Sequence, residues 1–239
     1  MAADLKAVLF DVDDTLFDRS GAQLLVLDVI TRELRDLFAG IDRQDLVDAF
    51  LESDRVTTLE FYGDAPVVEG VRVRRARMFL DLLGLDEAPA DAIAELYVEA
   101  YPRVNAPVDG AVALVEALTP RFQLGIVSNS LPDVQYQKLE TLGIRHLFDC
   151  IVLSEEFGIR KPDPAIFWHA AGLLGREAEE CLYVGDSYAA DVVGAKEAGL
   201  RVCWFNPTGL RPPQVGVECD FEIRALAQVL EILNGVGST

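Results

Sequence analysis

The chain has 239 residues, 51% of them hydrophobic, with 21 Lys and Arg against 40 Asp and Glu, a formal net charge of −19 and a pI near 4.4. That length and apolar content support a sizeable core, either one large domain or a core with an insertion. The acidic balance repels polyanions, so neither nucleic acid nor an anionic membrane is an expected partner, whereas a small phosphorylated metabolite can bind where local cations override the global field.

The first apolar run, AVLF at residues 7–10, reads as a buried strand and opens directly into D-V-D-D-T at 11–15. It is too short for a secretory leader, and no stretch approaches the roughly 20 apolar residues of a membrane span, so the cytoplasm is the expected location. If the strand stays extended through Asp13, the carboxylates of Asp11 and Asp13 point the same way at close range. That is unfavourable unless something positive lies between them. Asp14 then faces away, toward a capping or solvated role, and Thr15 either bonds back to the Asp11 loop or caps.

Four segments with helical spacing follow, at 19–39, 44–52, 68–84 and 89–100. The interval from residue 11 to residue 121 is far longer than a crossover between strands needs, which points to an inserted helical domain. Within it Arg72, Arg74, Arg75 and Arg77 form a dense basic run. A solvated face among carboxylates is the expectation; a patch that attracts an anionic substrate, or touches it from above, is the alternative.

Further strands are expected at 122–127, 150–153, 181–184 and 201–205, with a weaker one at 220–223, alternating with helices at 109–119, 132–142, 163–174 and 188–198. Such alternation implies a parallel sheet covered on both faces, a Rossmann-like α/β core whose chemistry gathers at the C-terminal ends of the strands. Cys150, Cys181, Cys203 and Cys219 lie far apart without a C-x-x-C pair and read as reduced core thiols. No Walker A, H-E-x-x-H or G-x-G-x-x-G pattern is present.

The unusual residues fall after these strands: Ser128-Asn129 after FQLGIV, Lys161 with Pro162 downstream of CIVL, and Gly185-Asp186-Ser187 with Asp191 after CLYV. Asp11, Asp13 and Asp186, with Asp191 nearby, make a set of hard oxygen donors suited to Mg²⁺. The metal ion and Lys161 together then supply the positive charge that the first motif lacks.

With D-V-D-D-T at 11–15, Ser128 at a strand end, Lys161 in R-K-P-D-P and G-D-S-x-x-x-D at 185–191, the sequence resembles the haloacid dehalogenase superfamily of hydrolases. The resemblance implies that Asp11 is the nucleophile, that Asp13 is general acid and base, and that Lys161 assists them. It also implies that Ser128 and Lys161 hold the phosphoryl group, with Thr15 and Asn129 in the substrate-binding set. Mg²⁺ would be held by Asp11, Asp186 and the Asp13 main-chain carbonyl. Asp191 would stand behind them, supporting the metal through its water shell or orienting Lys161. The same likeness implies a hydrolase core at 1–17 and 104–239, a helical cap at 18–103, and a monomer or homodimer.

The implied reaction is Mg²⁺-dependent hydrolysis of a small phosphate monoester, a nucleotide or a sugar or acid phosphate, through an aspartyl-phosphate. Dehalogenases of the superfamily usually carry a tyrosine version of the first motif, because a halide leaves without a proton; an acid at Asp13 favours phosphoryl transfer. A phosphomutase using the same residues is an alternative. So is a non-catalytic phospho-ligand module, although binding alone needs no proton shuttle.

Overall fold

The computed structural model describes residues 4–61, 70–130, 132–213 and 216–236. It divides into two compact units, one formed by Met1–Arg19 with Asn105–Thr239 and the other by Ser20–Val104.

In chain order the elements are β1 (Ala7–Phe10), α1 (Arg19–Glu33), α2 (Arg43–Phe61), α3 (Val71–Leu82), α4 (Ala90–Ala100), α5 (Ala111–Leu118) and β2 (Gln123–Ser128). There follow α6 (Pro132–Thr141), β3 (Cys150–Leu153), α7 (Ser154–Phe157), α8 (Pro164–Leu173), β4 (Cys181–Gly185), α9 (Val193–Glu197), β5 (Arg201–Phe205), β6 (Phe221–Ile223) and α10 (Gln228–Val236). Among the described residues, no helix is long and apolar enough to cross a membrane.

The larger unit is built on one six-stranded sheet in the order β3-β2-β1-β4-β5-β6, parallel throughout. Residues on both faces of the central strands are buried, which is why these runs are apolar without alternation. The register aligns the strand ends that carry the chemistry: Phe10 lies opposite both Ile126 and Val184, and Ser128 opposite Leu153. The loops that follow β1, β2 and β4 therefore leave the sheet at one edge. Three of the four cysteines are buried and the fourth half-buried; all are free thiols, and burial raises the pKa of each.

The smaller unit packs α2, α3 and α4 with the body of α1 around an aromatic core in which Phe79 meets Phe50 edge-on at 5.2 Å and Phe38 at 5.6 Å. Three features differ from the sequence expectation. α2 runs well past residue 52, because the hydroxyls of Ser53 and Thr57 turn back onto the carbonyls of Phe50 and Ser53 (2.7 Å each) and cost the helix no buried polar group. α1 stops at Glu33, short of residue 39, and the segment after it turns through Gly40 at φ 83°. Arg75 is no part of a solvated face. Its side chain is 11% exposed, pairs with Asp54 at 2.8 Å, bonds Gln23 at 3.1 Å and lies 3.8 Å over the Tyr97 ring. The start expected at residue 68 lies outside the described residues.

In the larger unit, the expected helix at 188–198 is instead a π-helical turn, Tyr188–Val192, running into α9. One glycine there sets how closely two functional segments approach. A Cβ at Gly194 would lie 2.5 Å from the Pro162 carbonyl oxygen and 2.8 Å from its Cα. Gly194→Ala is expected to push backbone against backbone and lower stability by about 1–3 kcal/mol, read as a lower urea midpoint with an unchanged m-value.

Candidate active site

Three strand ends and one loop build the site. Asp11 stands one residue beyond β1, yet its N–H still donates to the Val184 carbonyl at 3.0 Å, so the sheet fixes its backbone. Extension ends there. The Val12 carbonyl accepts from the N–H groups of Thr15, Leu16 and Phe17 (3.3, 2.8 and 2.8 Å), and Asp14 takes a left-handed φ of 55°. The chain curls back on itself, and each of the two carboxylates, Asp11 and Asp13, meets its own lysine.

The Asp11 carboxylate accepts from Lys161 Nζ at 2.8 Å. The same ammonium reaches Asp191 at 2.6 Å and the Tyr183 hydroxyl at 3.0 Å, so its three N–H donors have three acceptors. Lys161 is 4% exposed and Asp191 0%. Burial disfavours the Lys161 charge, but Asp11 and Asp191 override it and hold the ammonium's pKa above its ordinary value. Asp191 thus touches Lys161 directly, and its carboxylate also lies beside those of Asp11 and Asp186. Its other oxygen accepts from the Ser187 N–H at 3.0 Å, an approach open because a Cβ at Gly185 would come within 2.4 Å of it.

Asn129 clamps the Lys161 main chain at both ends, Nδ2 donating to the Lys161 carbonyl at 2.9 Å and Oδ1 accepting from its N–H at 2.8 Å. Thr15 is buried, and its hydroxyl donates to Asp186 at 3.3 Å. Asp14 accepts from the Arg19 N–H at 3.1 Å and so serves the first turn of α1. The Asp186 backbone carbonyl is held by the Trp204 indole N–H at 2.8 Å.

Asp13 was expected in the site, but its partners were not. Lys138 Nζ donates to one carboxylate oxygen at 2.5 Å and Gln135 Nε2 to the other at 2.9 Å; the same Gln135 amide donates to Ser128 Oγ at 2.8 Å. Burial raises the Asp13 pKa, but Lys138, with Arg19 and Gln135, outweighs it and leaves it below the ordinary carboxylate value. Gln135 and Lys138 sit on the buried stripe of α6 with Leu139, and buried Leu142 follows just past its end. Polar residues at core-facing positions of an amphipathic helix were the signal that would have revealed them.

Asp11, Asp186 and Asp191 each offer a carboxylate oxygen, all within 4.8 Å of one another. Burial first, then neighbouring negative charge, raises Asp186 to about 8; burial raises Asp11 to about 7 even against the Lys161 attraction. When all three are ionised, these carboxylates beside one ammonium leave an excess of two negative charges, and the donors are hard oxygens. A divalent, oxygen-seeking cation fits that set.

A family model for haloacid dehalogenase-like hydrolases matches residues 5–199. The chain belongs to the haloacid dehalogenase-like hydrolases. It is 31% identical to a glyceraldehyde 3-phosphate phosphatase of Methanopyrus kandleri over 235 residues, covering 96% of this chain and 97% of the relative. Among solved structures, a hydrolase of this family from Bacillus subtilis, bound to magnesium in a crystal form that reveals interdomain movement, matches with TM-score 0.82 and 27% identity over 97% of this chain and all of that one. A 2-haloacid dehalogenase from Pseudomonas syringae matches at TM-score 0.64 and 27% identity, covering 97% and 99% of the two chains.

The raised carboxylates of this hydrolase site carry a pH signature. Asp11 and Asp186 titrate near 7 and 8 when folded but near the ordinary ~4 when unfolded. Between those values the folded state binds more protons, so this contribution weakens folding as pH rises. With chelator present, the melting temperature is expected to fall from pH 5 to pH 8, and Mg²⁺ to restore most of it at pH 8. A melting temperature indifferent to both would remove the metal site.

Proposed function

We propose that this hydrolase cleaves small phosphate monoesters through a phosphorylated Asp11. The observation that carries the reading is the pairing of Asp11 with Lys161 beside a separately held acid, Asp13. The Methanopyrus relative's named activity supports the same chemistry.

An Asp11 oxygen attacks phosphorus, the ester P–O bond breaks, and its electron pair leaves on the alkoxide oxygen. Asp13 gives that oxygen a proton, the one it takes from water in the second half of the preceding turnover. A water then attacks the phosphoryl group and passes its proton to the Asp13 carboxylate. The P–O bond to Asp11 breaks, regenerating the Asp11 carboxylate and releasing inorganic phosphate. Lys161 favours the ionised form of Asp11 against its burial and places positive charge beside the transferring group. The Ser128 hydroxyl, whose oxygen already accepts from Gln135, keeps its proton for a phosphoryl oxygen.

A Mg²⁺ held by Asp11, Asp186 and the Asp13 main-chain carbonyl would lower the repulsion between the nucleophile and the ester dianion. Asp191 acts behind it by orienting Lys161. Residues Ser20–Val104 are the specificity-giving cap that excludes bulk water during the reaction; the interdomain movement of the Bacillus relative supports that assignment. Nucleotides and sugar or acid phosphates are the substrate classes, and the cytoplasm the place of action.

Dehalogenation is the less favoured reading, despite the Pseudomonas neighbour. A halide needs no proton, and this chain holds a carboxylate at residue 13 on two buried donors, Lys138 and Gln135. Phosphate release is to be screened over nucleotides and sugar phosphates, with Mg²⁺ and with chelator. Asp11→Asn is expected to lower turnover by at least ~10³-fold and chelator to abolish it. Equal release by Asp11→Asn and the parent would overturn the nucleophile, and chloride release from a 2-haloacid without phosphatase activity would establish the rival.

A further inference from the structure

The reaction assigns Asp13 a proton transfer in each half, and such a transfer depends on the direction in which the carboxylate lone pairs point. A surface aspartate turns freely about its side-chain torsions. Asp13 does not, because both of its oxygens are tied to one helix. Gln135 and Lys138 stand three residues apart on α6, hence on one helical face, and they take one oxygen each, at 2.9 and 2.5 Å.

Both donors are themselves fixed. Lys138 is 1% exposed, with its Nζ 4.7 Å from the centre of the Phe17 ring. Gln135 is wholly buried, and the second acceptor of its amide is Ser128 Oγ at 2.8 Å. The Asp13 carboxylate requires the Nε2 end of that amide, which fixes its orientation. A buried lysine and glutamine on a core-facing stripe are unfavourable unless paired, so packing alone gives no reason for them. The Asp13 side chain, by contrast, stays 25% exposed and open to a reacting atom.

The geometry points to Lys138 and Gln135 as positioning residues that set the orientation of the Asp13 carboxylate for proton transfer, with Gln135 tying that orientation to the phosphoryl-holding Ser128. This deepens the proposed phosphatase reading and rests on Asp13 being its acid and base. Neither residue touches the reacting atoms. They act through Asp13, and α6 becomes a rigid mount shared by the acid and the phosphate-binding serine.

A leaving-group comparison tests this. Nitrophenolate departs from p-nitrophenyl phosphate with little need of a proton; phenolate departing from phenyl phosphate gains far more from one. The two esters share one ring, and kcat/KM reports the step up to ester cleavage for both. Lys138→Met is expected to lower kcat/KM for phenyl phosphate at least tenfold more than for p-nitrophenyl phosphate, and Gln135→Met to do so in the same direction by less. Should Lys138→Met fail to fold, as judged by its melting curve, Gln135→Met decides alone.

Asp13→Asn is the reference. If it shows the leaving-group bias and the folded Lys138 and Gln135 variants fall equally on both esters, or not at all, the positioning role is overturned while the acid assignment stands. If Asp13→Asn itself shows no bias, the reading of Asp13 fails first.

Discussion

One buried ammonium organises the site. Lys161 places its three N–H donors on Asp11, just beyond β1, and on the Tyr183 hydroxyl and Asp191, in β4 and just beyond it. A lysine with 3% of its side chain exposed keeps its charge only if anions surround it, and the anions tolerate burial only because of the lysine. Removing Lys161 would leave its carboxylates uncompensated, about 3–5 kcal/mol of destabilisation in comparable buried pairs. The surrounding structure serves this contact. Asn129 grips the Lys161 backbone, Gly194 lets α9 approach Pro162, and Gly185 leaves room for Asp191.

The second lysine divides the labour. Asp11 and Asp13 are two residues apart, yet the curl centred on the Val12 carbonyl sends one toward Lys161 and the other toward Lys138. The consequences are opposite. Burial and neighbouring anions raise Asp11, whereas Lys138, Arg19 and Gln135 together outweigh burial and lower Asp13. Two carboxylates in one motif thereby sit in different electrostatic surroundings, one on Lys161 and the other on Lys138. What Lys161 leaves unneutralised among Asp11, Asp186 and Asp191 is the charge a divalent cation would match.

The parallel sheet was legible because strands buried on both faces must be apolar throughout, and AVLF, CIVL and CLYV have no other reading once helices alternate with them. Lys161, Asp186 and Asp191 were legible because charged residues that follow such strands land at one edge. Boundaries were less so. The hydroxyls of Ser53 and Thr57 satisfy themselves inside α2, where composition suggested a stop, and a π-helical turn precedes α9 where spacing suggested one uninterrupted helix. Arg75 read as solvated because four arginines in six residues carry no sign of which one faces Asp54, Phe50 and Tyr97.

The sequence by itself determined the order of strands and helices, the inserted helical segment and the four motifs, since periodicity and residue chemistry are local properties written along the chain. Only the tertiary structure decided which lysine serves which aspartate, that Asn129 faces the Lys161 backbone, and that Gln135 and Lys138 face Asp13 across 122 and 125 residues of sequence. The reason is physical: a side chain's partner is set by where the backbone turns and what packs behind it, and a single left-handed residue such as Asp14 redirects a carboxylate without changing its identity.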